Sequence, residues 1–510
     1  MSADDPTPAT GTARLSVVWF KRDLRLHDHD ALVAAAARGP VLPLYVAEPD
    51  YWALPDTSYR QWAFLRGSLA ELHDDIRARG GDLSVRIGTV SDVLAAIRDR
   101  HGPFDLHTHM ETGNAWTYAR DRAVGALCRA TGTRWTEHRQ FGVWRGANLS
   151  RDRWASRWDA LMSEPIRPEP EAVDWVEVTP SGIPDASELG LEHDGIVSLQ
   201  TPGRQAGLHL LDSFLTERGE PYQKAMSSPV TGETACSRLS PHLMAGTLSM
   251  REVYQATQAR IAALDAVSRT ERGRWPGALK SFVGRLHWHC HFMQKLEAEP
   301  EIEWLPMARA YEGLRPVPND AARLTAFAVG ATGYPFVDAC MRYLRATGWI
   351  NFRMRAMLMS FASYNLWLPW QMSGAVLARL FTDYEPGIHW PQSQMQAGET
   401  GINAVRIYSP VKQGHDQDPE GVFTRRWVPE LAGLSGTALQ EPWTLPDPPP
   451  DYPARIVDHQ ETARLAKTRI YELRRTDAAR AEASAVFEKH GSRKPRRTRR
   501  QPPRDGRGVT

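Results

Sequence analysis

The chain has 510 residues, 42% hydrophobic and 24% charged, and its 62 Lys/Arg and 60 Asp/Glu leave a formal net charge of +2. That length supports a large core and exceeds one ordinary domain, so roughly two or three are expected, and a balance so near neutral excludes bulk charge as a pointer to a partner. Four scattered cysteines without a CxxC pair exclude a zinc ribbon, a thioredoxin-like motif and a disulfide scaffold.

The N-terminal MSADDPTPATGTA is polar and acidic, with no signal-peptide core, and no apolar run reaches the ~18 residues of a membrane span. A cytoplasmic, monomeric protein in a reducing compartment, with no membrane partner, is expected. RLSVVWF reads as a strand, followed by the charged turn KRDLRLHDHDAL, and GPVLPLYVAEP reads as a second strand. YRQWAFLRGSLAELHDDIRARGG has helical spacing, with Trp62, Leu65, Leu69 and Leu72 on one face and Gly-Gly as its stop. DLSVRIG, FDLHTHME and RWTEHRQF continue the strands, and VSDVLAAIRDRHG and AWTYARDRAVGALCRATG the helices. This alternation predicts a parallel sheet with right-handed crossovers over residues 14–148. The first turn lacks GxGxxG, so the standard dinucleotide fingerprint is absent.

Residues 149–200 are rich in proline and acid and read as an interdomain linker. The stretch 201–434 reads as almost wholly helical, 435–490 as a helical extension, and 491–510 as a basic tail with eight Lys/Arg against one Asp. Such a tail is a solvated segment or a source of sequence-independent affinity for nucleic acid.

Three stretches of the helical half carry chemistry. In ETACSRLSPH, Thr234, Ser237 and Ser240 surround Arg238 ahead of a helix; this suits phosphate, or simple capping by Ser240 with Pro241 at the first helical position. His287, His289 and His291 alternate in RLHWHCHF, where only the first and last share a helical face and no acidic third ligand is near, so core or surface roles outweigh zinc. In GWINFRMRAM, read as one helix, Asn351 and Arg355 share a row and Trp349 and Arg353 the next. Buried guanidinium groups need partners, and Asp383 and Glu385 in FTDYEPGIHW supply carboxylates.

VVWFKRDLRLHDHDAL, SRLSPHLMAGTLS, GYPFVDACMRYLRATGWINFRMRAM and RIYSPVKQGHDQDPEGVFTRRWVPEL resemble the cryptochrome/photolyase family over about Leu15 to Leu434. The resemblance implies a Rossmann-like α/β domain of the antenna-binding type, then a large all-α domain that binds FAD. It implies FAD contacts from Tyr222, Cys236, Ser237, Arg238, Leu239, Ser240, Arg285, Trp349, Arg355, Asp383, Tyr384 and Glu385. Cys236 stands where the family often has Thr. Arg355 would sit beside the flavin ring paired with Asp383, Trp349 would line the space between flavin and substrate, and His389 would take the family's Asn or Asp position near flavin N5. The substrate implied is UV-damaged DNA, and a pterin or deazaflavin antenna is an open possibility.

The same resemblance places Ser281, Gly284, Phe352, Arg353, Lys412, Arg425 and Arg426 toward DNA. Dimer-repairing relatives commonly have Glu and Trp at Ser281 and Gly284, and often Asn at Phe352. The usual Trp-x-Trp is missing from HWPQSQMQ, where Trp390 with Trp370 and Trp367 offers another electron relay. The expected activity is that of a deoxyribodipyrimidine photo-lyase. The alternatives are a cryptochrome-like photoreceptor without repair activity and a flavoprotein that only binds nucleic acid.

Overall fold

The computed structural model describes residues 14–146, 151–316 and 320–491. The expected basic tail therefore lies almost entirely outside the described residues. Five parallel strands, β1 (Leu15–Phe20), β2 (Val41–Ala47), β3 (Ser84–Ile87), β4 (Phe104–His109) and β5 (Trp135–His138), form one sheet in the order β3-β2-β1-β4-β5. Every residue of β1 is buried, because helices cover both faces. Val18 and Phe20 point into one core with Trp62, Leu65, Leu69 and Leu72; Leu15, Val17 and Trp19 point into the other.

The predicted linker is not featureless. Trp154–Met162 is a helix that buries Trp154, Trp158 and Met162, and Trp175 bridges to Val41 at the start of β2. Proline and acid mark the flanks of this segment, but its three large apolar side chains at helical spacing supply a buried face.

The helical half has one core, built around the helices Trp275–Ala298, Pro335–Thr347, Phe352–Ser360, Trp370–Leu380 and Pro386–Ala397. Buried polar contacts join it to the sheet domain. Arg60 donates to the carbonyls of Leu344 and Leu380, Gln61 to that of Ala378, and Arg251 clasps Asp28. Beyond Leu434 the chain closes with the helices His459–Arg474 and Asp477–His490. No helix among the described residues is long and apolar enough to cross a membrane.

Candidate functional site

GWINFRMRAM is not one helix. The preceding helix stops at Gly348, whose φ of +72° suits glycine, and the next runs Phe352–Ser360 with Asn351 at its N-cap. Asn351 Nδ2 donates to the carbonyls of Met226 and Ser227, pinning the break to a segment over a hundred residues away. Trp349 and Asn351 are thus loop residues, and the helical rows predicted for them do not exist.

The break opens a cavity of about 490 Å³. Tyr222, Cys236, Ser237, Arg238, Ser240, Arg285, Trp349, Phe352, Arg353, Arg355, Asp383, Tyr384, Glu385 and His389 all line it. Leu239 does not: its side chain lies in the hydrophobic core, one residue ahead of the helix Ser240–Ala245. Ser240 is therefore the first helical residue rather than the cap. Ser281, Gly284, Trp390, Lys412, Arg425 and Arg426 lie outside the lining. Lys412 pairs with Asp416 at 3.0 Å, Arg425 donates to the Glu420 carbonyl, and Arg426 is 3.7 Å from Glu233, so these three have partners within the chain.

The Arg355–Asp383 pair is bidentate, at 3.0 and 2.8 Å, and Arg355 Nε donates to the Ile350 carbonyl at 2.8 Å. The guanidinium also lies 4.1 Å from the Phe381 ring centre. The predicted compensation of Arg355 by Asp383 is thus present. Arg238, in the left-handed region at φ +62°, lays its guanidinium 4.1 Å from the Trp349 ring centre. Arg218 holds this loop by donating to the carbonyls of Thr234, Cys236 and Ser237.

Glu385 lines the cavity, but its carboxylate is bound to Arg22 of the sheet domain at 2.5 Å. Tyr384 donates its hydroxyl to Asp56, also of the sheet domain. Neither contact is legible locally, because more than three hundred residues separate the partners. Burial pulls the pKa of Arg22 down, yet the charge and hydrogen bond of Glu385, together with Tyr51 and Glu111, more than offset this and leave it raised.

His389 is half-buried, and its desolvation lowers its pKa to about 4, so the ring is neutral. Its Nε2 donates to the Gly374 carbonyl at 2.9 Å, leaving Nδ1 as an acceptor. Gly374 makes this approach possible: a Cβ there would come within 2.9 Å of the Trp390 ring. Trp390 packs behind the cavity wall, 4.9 Å from the His389 ring and 5.9 Å from Trp370.

Of the three histidines in RLHWHCHF, His289 lines the cavity with a pKa lowered to about 4 by burial, while His287 meets Asp159 at 2.8 Å. Lining residues not singled out from the sequence include Met226, Gln392, Gln396, Arg406 and Tyr408. The last two fall inside the RIYSPVKQG motif, which was their only signal.

A flavin nucleotide fits this donor set. Five arginines, Arg238, Arg285, Arg353, Arg355 and Arg406, line the cavity, with Ser237 and Ser240 among them. Asn351 Oδ1, Gln392 Oε1 and Arg353 Nε are buried without a hydrogen-bond partner, as expected of groups awaiting a polar ligand. Residues 282–472 match the FAD binding domain of DNA photolyase, and residues 16–147 match DNA photolyase. The deoxyribodipyrimidine photo-lyase of Streptomyces griseus is 30% identical over 89% of this chain and 99% of its own length. The chain belongs to the cryptochrome/photolyase family.

Relatives in this family carry both kinds of name. Cryptochrome DASH of Gloeobacter violaceus is 27% identical over 84% of this chain and 88% of its own. Among solved structures, a class III photolyase from Agrobacterium tumefaciens has a TM-score of 0.78 at 25% identity, covering 93% of this chain and all of that one. A photolyase from Sulfolobus tokodaii, solved with two FAD molecules, has a TM-score of 0.74 at 25% identity, covering 90% of this chain and all of that one. The predicted architecture and the FAD cofactor both stand.

The sheet domain has a separate cavity of about 390 Å³ at the ends of β2 and β3. Trp116, Arg120, Glu48 and Thr89 line it, and Arg120 is held there by Glu48, Glu111 and Asp121. A second, smaller cavity of the sheet domain, about 50 Å³, is lined by Trp19, Lys21, Arg22, Tyr45 and Tyr51.

Proposed function

We propose that this protein is a light-driven DNA-repair enzyme of the deoxyribodipyrimidine photo-lyase kind, acting on UV-induced pyrimidine dimers. One observation carries the reading. The same cavity runs from Arg355 and its buried partner Asp383 to the exposed Phe352, with Arg285 and Arg353 alongside. A cofactor held deep and a flipped-out lesion at the mouth would then share one continuous, largely water-excluding space. Reduced FAD, when bound, supplies the light-driven transfer of one electron to the lesion.

The chain's own residues do the positioning. Arg355 and Asp383 would hold the flavin by its ring, and Arg238 and Ser237 would meet its phosphates. Neutral His389 offers Nδ1 as an acceptor on the inner wall. Arg285 and Arg353 grip the DNA backbone, fixing register without reading sequence. Lys412, Arg425 and Arg426, which already have partners within the chain, are at most outer contacts. Trp390 and Trp370, 5.9 Å apart, would be the inner members of a route supplying electrons to the bound flavin.

A second reading, a photoreceptor that binds FAD without repair, is favoured by Gly284. It leaves no side chain where the resemblance expects the Trp of dimer-repairing relatives, although a Cβ built there would meet nothing within 4 Å. The deciding experiment illuminates the reduced holoprotein with single- and double-stranded DNA containing dimers. Loss of dimers supports repair. A flavin that responds to light while every dimer persists refutes repair and leaves the receptor.

A further inference from the structure

Tyr384 stands where the two halves of the molecule meet. It is buried, and it lines both the flavin cavity and the smaller cavity of the sheet domain. Its hydroxyl donates to Oδ2 of Asp56, a buried residue of the sheet domain. Its ring meets the His389 ring edge-on at 5.4 Å, beside the flavin cavity that both residues line. A buried phenol thus borders the cofactor space while its proton points at a buried carboxylate in the other half.

Burial and the charge of Asp56 hold the Tyr384 hydroxyl well above the ordinary phenol range, so it does not ionise on its own. Burial also raises the Asp56 carboxyl, despite the hydrogen bond from Tyr384, which makes it a ready proton acceptor. A phenol that cannot lose its proton alone can lose it together with an electron, because no buried cation is then left behind. Trp390 lacks this option: its Nε1 is buried without a hydrogen-bond partner among the described residues.

We propose that Tyr384 is a proton-coupled electron donor to the bound, light-excited flavin, with Asp56 as its proton acceptor. One electron passes from the phenol to the flavin, the Oη–H bond breaks, and the proton joins Asp56 Oδ2. Tyr384 is left as a neutral phenoxyl radical and Asp56 as a neutral acid. Return of the electron and the proton restores both. The electron acceptor is FAD in its oxidised form, so the step is separate from transfer to a lesion and holds for a repair enzyme and a receptor alike. Light thereby moves a proton across the joint between the halves.

The test uses the full chain loaded with oxidised FAD, frozen under blue light, and reads radicals by electron paramagnetic resonance. The expected signal narrows in protein made with ring-deuterated tyrosine, does not respond to ring-deuterated tryptophan, and forms more slowly in deuterated water. Tyr384→Phe should abolish it and lengthen the flavin fluorescence lifetime. Asp56→Asn, which keeps a hydrogen-bond acceptor but loses the proton acceptor, should do the same. Trp390→Phe should leave the signal in place.

A signal that narrows only with deuterated tryptophan would overturn the assignment. So would a tyrosine signal that survives Tyr384→Phe, disappears in Trp390→Phe, or forms equally fast in Asp56→Asn or in deuterated water. Should Tyr384→Phe fail to hold FAD, fluorotyrosine placed at position 384 keeps the hydroxyl and must change the signal; an unchanged signal rejects Tyr384 as the donor.

Discussion

Arg355→Ala removes a cation whose partner is almost fully enclosed. The side chain of Asp383 is 2% exposed and that of Arg355 26%. Deleting one member of a fully buried pair costs roughly 3–5 kcal/mol, mostly for the charge left behind. The quarter of Arg355 that reaches solvent lets water take up some of that loss, so about 2–3 kcal/mol is the better figure here. The loss falls on flavin retention, because Asp383 lines the cavity and its carboxylate would face the ring edge alone. That corresponds to about 30- to 150-fold weaker FAD binding. The assay is flavin-to-protein absorbance after purification, followed by FAD titration of the apoprotein. The double variant Arg355→Met with Asp383→Asn removes both charges and should recover part of the loss. Wild-type FAD affinity in Arg355→Ala, with a folded protein, would refute the argument that this pair compensates the cofactor edge.

Trp390→Phe should slow recovery of reduced flavin under illumination while leaving flavin content unchanged; a wild-type rate dismisses the route through Trp370. Burial, with the nearby charge of Asp56, raises the Glu303 carboxyl to about 7 despite the hydrogen bond it accepts from Ala115 N. The folded state thus holds a proton that the unfolded chain releases, so this stabilisation is full below about pH 4.5 and lost as pH rises to about 7. Glu303→Gln should therefore narrow the difference in melting temperature between about pH 5 and about pH 8, and an unchanged difference would count against this titration. Deleting residues 492–510 removes eight basic residues and should flatten the salt dependence of DNA binding, by at most about 7 in slope; an unchanged slope returns the tail to a solvated role.

Period and alternation made the sheet domain legible. Trp62, Leu65, Leu69 and Leu72 do share a buried face, and the five strand segments are the five strands. The Arg355–Asp383 pair was also within reach, since two arginines in an apolar run demand an acid nearby. The loop at Trp349–Asn351 was not. Its apolar residues continue a helical pattern, and what breaks it is Asn351 bonding to Met226 and Ser227. The left-handed Arg238 was equally hidden, because nothing in SRLSP requires it; Arg218 imposes it from an earlier turn. The linker helix was missed because proline and acid outweighed three well-spaced apolar side chains.

Asp383, Tyr384 and Glu385 are consecutive, yet each is tied to a different place: Arg355, Asp56 and Arg22. Two of those three tethers come from the other half of the molecule. Chimeras will feel this most. Grafting a relative's α/β half onto these helices should work only when the donor brings an arginine and an acid to the spots of Arg22 and Asp56, and helices expressed alone would meet flavin with a slack, misaligned rim.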